Sequence, residues 1–243
     1  MKTGRWGCCA VLAAFLASGA SFAQDPDRER NSWPRVIGRS CRQPKYNFKI
    51  VGGLGTIEGA CEDGLYYVKV GDAECAGKGG LTMARVGGGA WGSIEPFLQA
   101  RQKTVARLAR ITPPHIAIVP RLACFLRTIR AAGGGFEGEL NESYIRELLR
   151  EPYVVFERLA NGIDLKGTMK IGVGGNGCVS RIEIDVTGRA SSGGWSEGGD
   201  WGGSAGSRPR VRSSSSHARV VIELSGFGVG SVPADVKAKF GVK

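Results

Sequence analysis

The sharpest pattern in the chain lies in CVSRIEIDVTG, residues 178–188, where Ile182, Ile184 and Val186 alternate with Arg181, Glu183 and Asp185. A period of two with apolar and charged residues on opposite sides predicts a strand with one buried and one wet face. The run KGTMKIGV before it, and the glycine-rich GGNG between them, complete a predicted β-hairpin. HARVVIELSGF, residues 217–227, repeats the pattern with Val220, Ile222 and Leu224 against Arg219 and Glu223. This strand is expected to pair with the hairpin, with ion pairs among Arg181, Glu183, Asp185, Arg219 and Glu223 helping to fix register. VPADVKAKFG then predicts a short closing helix started by Pro233 and ended by Gly241.

Toward the N-terminus the pattern is weaker. YNFKIV at 46, LYYVKV at 65 and LTMARV at 81 read as short strands, punctuated by GGLG, EDG, GKGG and GGG, and predict a small antiparallel sheet. Residues 92–162 read as helical. In PRLACFLRTIR the apolar Leu122, Phe125, Leu126 and Ile129 recur at helical spacing behind Pro120, and FLQARQKTVARLAR is a preceding helix candidate. NESYIRELLRE predicts a third, with Asn141 or Ser143 as N-cap and Ile145, Leu148 and Leu149 inward, and YVVFERLANG a fourth piece ending at Gly162. The expected fold class is α+β: antiparallel sheet elements from the N- and C-terminal parts, a central helical segment, and support from disulfides.

The N-terminus changes the setting. Lys2 and Arg5 precede an apolar run and small residues ending Ser21-Phe22-Ala23, which reads as a secretory signal peptide over residues 1–23. Residues 24–35 are polar and read as a disordered leader, and 36–243 as a single composite domain: 36–90 β-rich, 92–162 helical, 163–243 hairpin and terminal helix with a flexible loop at 189–217. No run approaches the length of a transmembrane helix. The expected location is periplasmic or secreted, most readily in a bacterium. In that setting the five cysteines beyond the leader, Cys41, Cys61, Cys75, Cys124 and Cys178, read as two bridges and a spare thiol, with pairing expected among Cys41, Cys61 and Cys75. With no C-x-x-C and two histidines in all, the spacing gives no metal site.

Two fragments carry a resemblance. KGTMKIGVGGNGCVSRIEIDVTG is similar to the central hairpin of TonB C-terminal domains, but a Gly/Ser loop stands where that family continues into a helix, so no function carries over. VVIELSGFG to VPADV resembles the last strand and trailing proline of periplasmic lipoprotein carriers, which implies a sheet of the kind that holds an apolar ligand.

Charge and composition narrow the partners. The whole chain carries a formal net charge of +11, or +9 without the leader, so an anionic partner is expected: an envelope protein, an anionic polymer or a membrane surface, with nucleic acid left open. The Gly/Ser tract 191–216 carries Trp195, Trp201, Arg208, Arg210 and Arg212, residue types that concentrate binding energy and that a plain spacer does not need. Arg121, Arg127 and Arg130 read as a second basic surface on the central helix, beside Arg101, Lys103, Arg107 and Arg110. His115 and His217 lack a nucleophile motif, the glycine strings lie between strands, and neither catalytic residues nor a nucleotide or other cofactor are assigned. The sequence thus favours a non-enzymatic envelope binding protein, an accessory subunit or adaptor. A periplasmic carrier of an apolar ligand is the first alternative and a secreted hydrolase the second.

Overall fold

The computed structural model describes residues 33–53, 55–111, 118–150, 157–189 and 215–242. Within them eleven strands form one antiparallel sheet: β1 (Lys45–Gly52), β2 (Gly55–Glu62), β3 (Leu65–Val70), β4 (Ala73–Lys78), β5 (Leu81–Val86), β6 (Gly92–Ser93), β7 (Arg130–Ala132), β8 (Gly135–Glu139), β9 (Ile163–Val173), β10 (Val179–Arg189) and β11 (Ser215–Ser225). Their order across the sheet is β6-β5-β4-β3-β2-β1-β11-β10-β9-β8-β7. The chain meanders from β1 out to one edge, crosses to the opposite edge and meanders back, so that β11 closes against β1 in the middle.

The helices are short: α1 (Trp33–Cys41), α2 (Glu95–Gln99), α3 (Lys103–Leu108), α4 (Leu122–Phe125) entered through a 3₁₀ turn at Val119–Arg121, α5 (Glu142–Arg150), α6 (Glu157–Ala160) and α7 (Ala234–Lys239). The α+β expectation is therefore overturned: the two predicted sheet regions are halves of one sheet, and the expected helical middle itself supplies its last two strands at one edge. In PRLACFLRTIR the helix ends at Phe125. Leu126 turns extended, bridges to Leu140, and Arg127 N–H donates to Glu139 O at 2.8 Å. Ile129, placed inward by helical spacing, is 41% exposed. The adjacent glycines Gly133 and Gly134, both at positive φ, make the tight β7–β8 turn that a helix could not accommodate. FLQARQKTVARLAR also breaks in two, at Arg101, whose φ of 53° is left-handed.

Strands β2 and β4 are missing from the sequence expectation because their inner positions are small. Gly59 pairs directly with Phe48, and a Cβ on it would come within 2.2 Å of that ring. Gly77 stands in the same relation to Tyr66, at 2.5 Å. Each glycine is the space into which a neighbouring aromatic ring lies, and so reads as turn punctuation in a sequence although it is mid-strand.

One face of the sheet, the inner face, is covered by α1 and α3–α6, with α2 packed only partly at its edge. The other is covered only over β2–β5, where α7 and Val232 pack with Ala60, Leu65, Ala76 and Trp91 into a second, smaller core. The predicted closing helix is thus present, with Pro233 at its N-cap and Gly241 at φ 63° beyond it. The predicted β9–β10 hairpin and its pairing with β11 are also present, and α1 takes in residues 33–35 of the stretch read as leader.

The disulfide support is corrected as well: Cys41, Cys61, Cys75, Cys124 and Cys178 are all free thiols. Cys61 on β2 and Cys75 on β4 face inward with β3 between them, pairing with Tyr66 and Val68 respectively. Two strand spacings separate them by about 9–10 Å, beyond disulfide reach. Burial pushes the Cys41 thiol up to about 11 and Cys75 to about 12, so neither is poised to react.

Candidate functional site

The inner face is apolar over nearly its whole width. In one row of paired residues Ile57, Ile50, Ile222, Ile182 and Ile171 stand side by side across β2, β1, β11, β10 and β9, and Phe136 on β8 continues it. All five isoleucines are buried. Neighbouring rows are also apolar: Val220, Ile184 and Met169 on one side, Val68, Phe48 and Leu224 on the other. Branched side chains suit this surface because they fill the pleat without losing rotamer freedom.

What covers this face is discontinuous. No inner-face helix among the described residues exceeds nine residues, and a few polar anchors add to the apolar contacts of each buried side. Ser40 pins α1 to β10 by accepting from Val179 N–H at 2.8 Å while its hydroxyl donates to Val36 O at 2.7 Å. Arg146 of α5 holds the end of α6 through Ala160 O at 3.0 Å and Gly162 O at 2.8 Å. Ile145, Leu148 and Leu149 of α5 face the sheet as expected from sequence, with Asn141 Oδ1 accepting from Ser143 N–H at 3.3 Å at the helix start. Trp33 meets Phe136 edge-on at 5.1 Å between ring centres, and Phe125 meets Tyr144 at 6.0 Å. Aromatic and aliphatic groups thus line both sides of the interlayer.

The outer face is the electrostatic opposite. Arg85, Glu74, Lys69, Glu58, Lys49, Glu223 and Arg181 are paired in register across seven consecutive strands, from β5 to β10, and their charges alternate without exception. A second alternating row, Arg130, Glu137, Lys170 and Glu183, runs from β7 to β10. A shallow groove of about 600 Å³ lies over the first row, lined by Asn47, Lys49, Glu58, Arg181, Glu223 and Ser231 among others. Its charges answer one another: Arg181 binds Glu183 at 2.7 Å and also Glu223, and Lys49 stands 3.8 Å from Glu58.

Where α7 covers this face the carboxylates Glu62 and Glu74 are buried and tightly partnered. Glu74 accepts from Tyr67 Oη at 2.7 Å and Arg85 at 2.8 Å; Arg85 also reaches Asp235 at 2.7 Å and lies 4.7 Å over the Trp91 ring. Burial alone would raise the Glu74 carboxyl, but the hydrogen bonds from Arg85 and Tyr67 outweigh it and hold it low. Glu62, 4% exposed, bridges Lys237 of α7 at 2.7 Å and Lys45 at 2.9 Å, and those two ammonium groups lower its pKa. The hydrogen bond from Trp91 does the same for Asp235.

The residues singled out by sequence fare differently. Arg121 pairs with Glu147 and lies 5.0 Å over the Phe125 ring, and Arg130 pairs with Glu137 at 2.6 Å. Arg127 is exposed in the extended stretch between α4 and β7, so the three arginines do not share a helix face. Trp195, Trp201, Arg208, Arg210, Arg212 and His115 lie outside the described residues. His217 stands 3.1 Å from Asp185 on the exposed outer face, while Ser216, next to it in the strand, points to the opposite side. Among the described residues no three His, Cys, Asp or Glu side chains converge as metal ligands, and no helix is long and apolar enough to cross a membrane. The isoleucine row escaped sequence reading as a unit, because its members come from both ends of the chain and meet only through the β1–β11 pairing.

No family profile matches the sequence, and no curated protein matches it. Among solved structures the chain is similar to the crystal structure of LprF from Mycobacterium bovis, with a TM-score of 0.41 and 13% identity over 88% of this chain and 99% of that one. The functional reading therefore rests on the geometry of the chain itself.

Proposed function

We propose that the protein is an exported carrier of an apolar ligand, held between the inner face of the sheet and the short helices that cover it. The observation that supports this reading is the pairing of one apolar face, continuous across at least six strands, with a cover made of separate short pieces. A second sheet or long helices would seal such a face permanently. Of the covering pieces, α1, α4, α5 and α6, four to nine residues long, are short enough to separate from it one at a time, and an apolar chain in their place keeps the isoleucine row out of water. What supports export is the signal-like pattern of residues 1–23.

The test is to purify the protein from its own cell envelope, extract it with organic solvent and identify what is released by mass spectrometry. The expected result is an apolar compound in near-stoichiometric amount, with the emptied protein taking up a fluorescent long-chain fatty acid. Clean extracts together with no uptake of the probe overturn the carrier reading.

A further inference from the structure

We propose that α2 and α3, at the β6 edge of the inner-face cover, dock the protein on an anionic lipid surface. The stretch Glu95–Arg110 is unlike the rest of the cover. α2 begins directly after the edge strand β6 and has no buried residue; Ile94 and Phe97 only partly pack against the core. Leu98 is 46% exposed, and every residue from Leu98 to Thr104 is exposed. A helix so placed gains little from the core, and its position is unexplained by folding alone.

Its charges point the same way. Arg101, Lys103, Arg107 and Arg110 gather within ten residues, and among the described residues none of them makes an ion pair. Along the outer-face row the arrangement is the reverse: Arg85, Lys69, Lys49 and Arg181 each stand opposite carboxylates, strand after strand. Glu95, at the far end of α2, is the one acid in the stretch. Unanswered cations around an exposed leucine match a bilayer surface, where the ammonium and guanidinium groups meet phosphates and the leucine enters the acyl boundary. An acidic protein would meet the charges but leave Leu98 without a role. α3 behind the patch is firmly seated, with Val105 and Leu108 buried, so the cations stand on a rigid base.

The proposal is independent of the carrier reading, because it is measured without cargo. The exported protein is mixed with vesicles of phosphatidylcholine containing one-third phosphatidylglycerol, and with vesicles of phosphatidylcholine alone, and sedimented at low and high salt. Binding is expected to the anionic vesicles only, and to weaken with salt. Each cation near such a surface contributes about fivefold, so Arg101→Asn, Lys103→Gln and Arg110→Gln together are expected to lower affinity about a hundredfold. Leu98→Ala is expected to weaken binding by a further several-fold at high salt. A control removes equal charge from the outer face with Lys69→Gln, Lys166→Gln and Lys170→Gln. Equal loss in that control, wild-type binding by the α2–α3 variant, or capture by an acidic protein with no vesicle binding would each overturn the proposal.

Discussion

The two ends of the sheet solve the same problem in different ways. Over β2–β5 the outer face is sealed by α7, and the ions there, Glu62, Glu74, Arg85 and Asp235, are drawn into a partly buried lattice with Lys45, Lys237, Tyr67 and Trp91. Over β9–β11 that face is open, and Arg181, Glu183, Arg219 and Glu223 pair on the surface. The open strands are eleven residues each, whereas β3, β4 and β5 have six. The eleven-residue strands carry much paired backbone and inner-face apolar area and stand with one side wet, whereas β3–β5 gain a third layer. Charge of the same alternating pattern therefore holds an element in place at one end and keeps a surface wet at the other.

The largest test of this difference is to end the chain before Val232. Losing Val232, Val236 and Phe240 uncovers Ala60, Leu65, Ala76 and Trp91, and about 5 kcal/mol of stability is expected to go with them, read by urea unfolding. Amide exchange should then quicken in β2–β5 well before β9–β11; uniform quickening would show that the sheet is one cooperative unit.

A matched pair of glycine substitutions comes next. Gly59→Ala places a methyl group 2.2 Å from the Phe48 ring and 2.5 Å from Tyr67 O, and is expected to cost about 3 kcal/mol. Gly172→Ala, on the open face with Arg181 Cβ at 3.3 Å as its nearest neighbour, is expected to stay within about 0.5 kcal/mol of wild type.

Acid probes the ions that α7 draws together. Glu62, Glu74 and Asp235 all have lowered pKa values, so their stabilising effect is full above the ordinary values of 4.5, 4.5 and 3.8 and is lost as the pH falls through the depressed ones. Tm is expected to fall steeply below about pH 4.5. Glu74→Gln, which leaves Arg85 with one carboxylate fewer, is expected to cost about 2 kcal/mol at neutral pH and to flatten that acid limb. The smallest effect belongs to the open face: Glu183→Gln is expected to change stability by under about 1 kcal/mol, with the change shrinking in salt, since Arg181 keeps Glu223 and stays in water. A loss as large as that of Glu74→Gln would break the distinction between the two ends.

How far the sequence discloses this arrangement depends on which residues fill the pleat. β9, β10 and β11 are legible because large apolar and charged residues alternate along them, and even the ion pairs among Arg181, Glu183, Arg219 and Glu223 can be foreseen. α5 and α7 are legible from their caps. β2 and β4 are not, since the residues opposite Phe48 and Tyr66 have to be glycine for the rings to fit. Leu126 and Ile129 mislead in the other direction: their spacing is helical, yet the glycines at 133–135 turn the chain back and the backbone pairs along β7, β8 and β9 instead. Cysteine number and compartment suggested bridges, but all five thiols are free, and strand placement keeps Cys61 and Cys75 apart. The α2–α3 cations were visible as a candidate basic surface; that they stand without carboxylates opposite them, unlike the cations of the outer-face row, is visible only in three dimensions.

The meeting of β1 with β11 in the middle of the sheet also sets a clock. Phe48 finds Leu224, and Ile50 finds Ile222, only after nearly the entire described chain has been made. Closing so long a loop is slow, and until it closes the two halves of the isoleucine row cannot assemble. Until its last strand arrives, β1 and β10 each keep an open edge, and only β11 closes both.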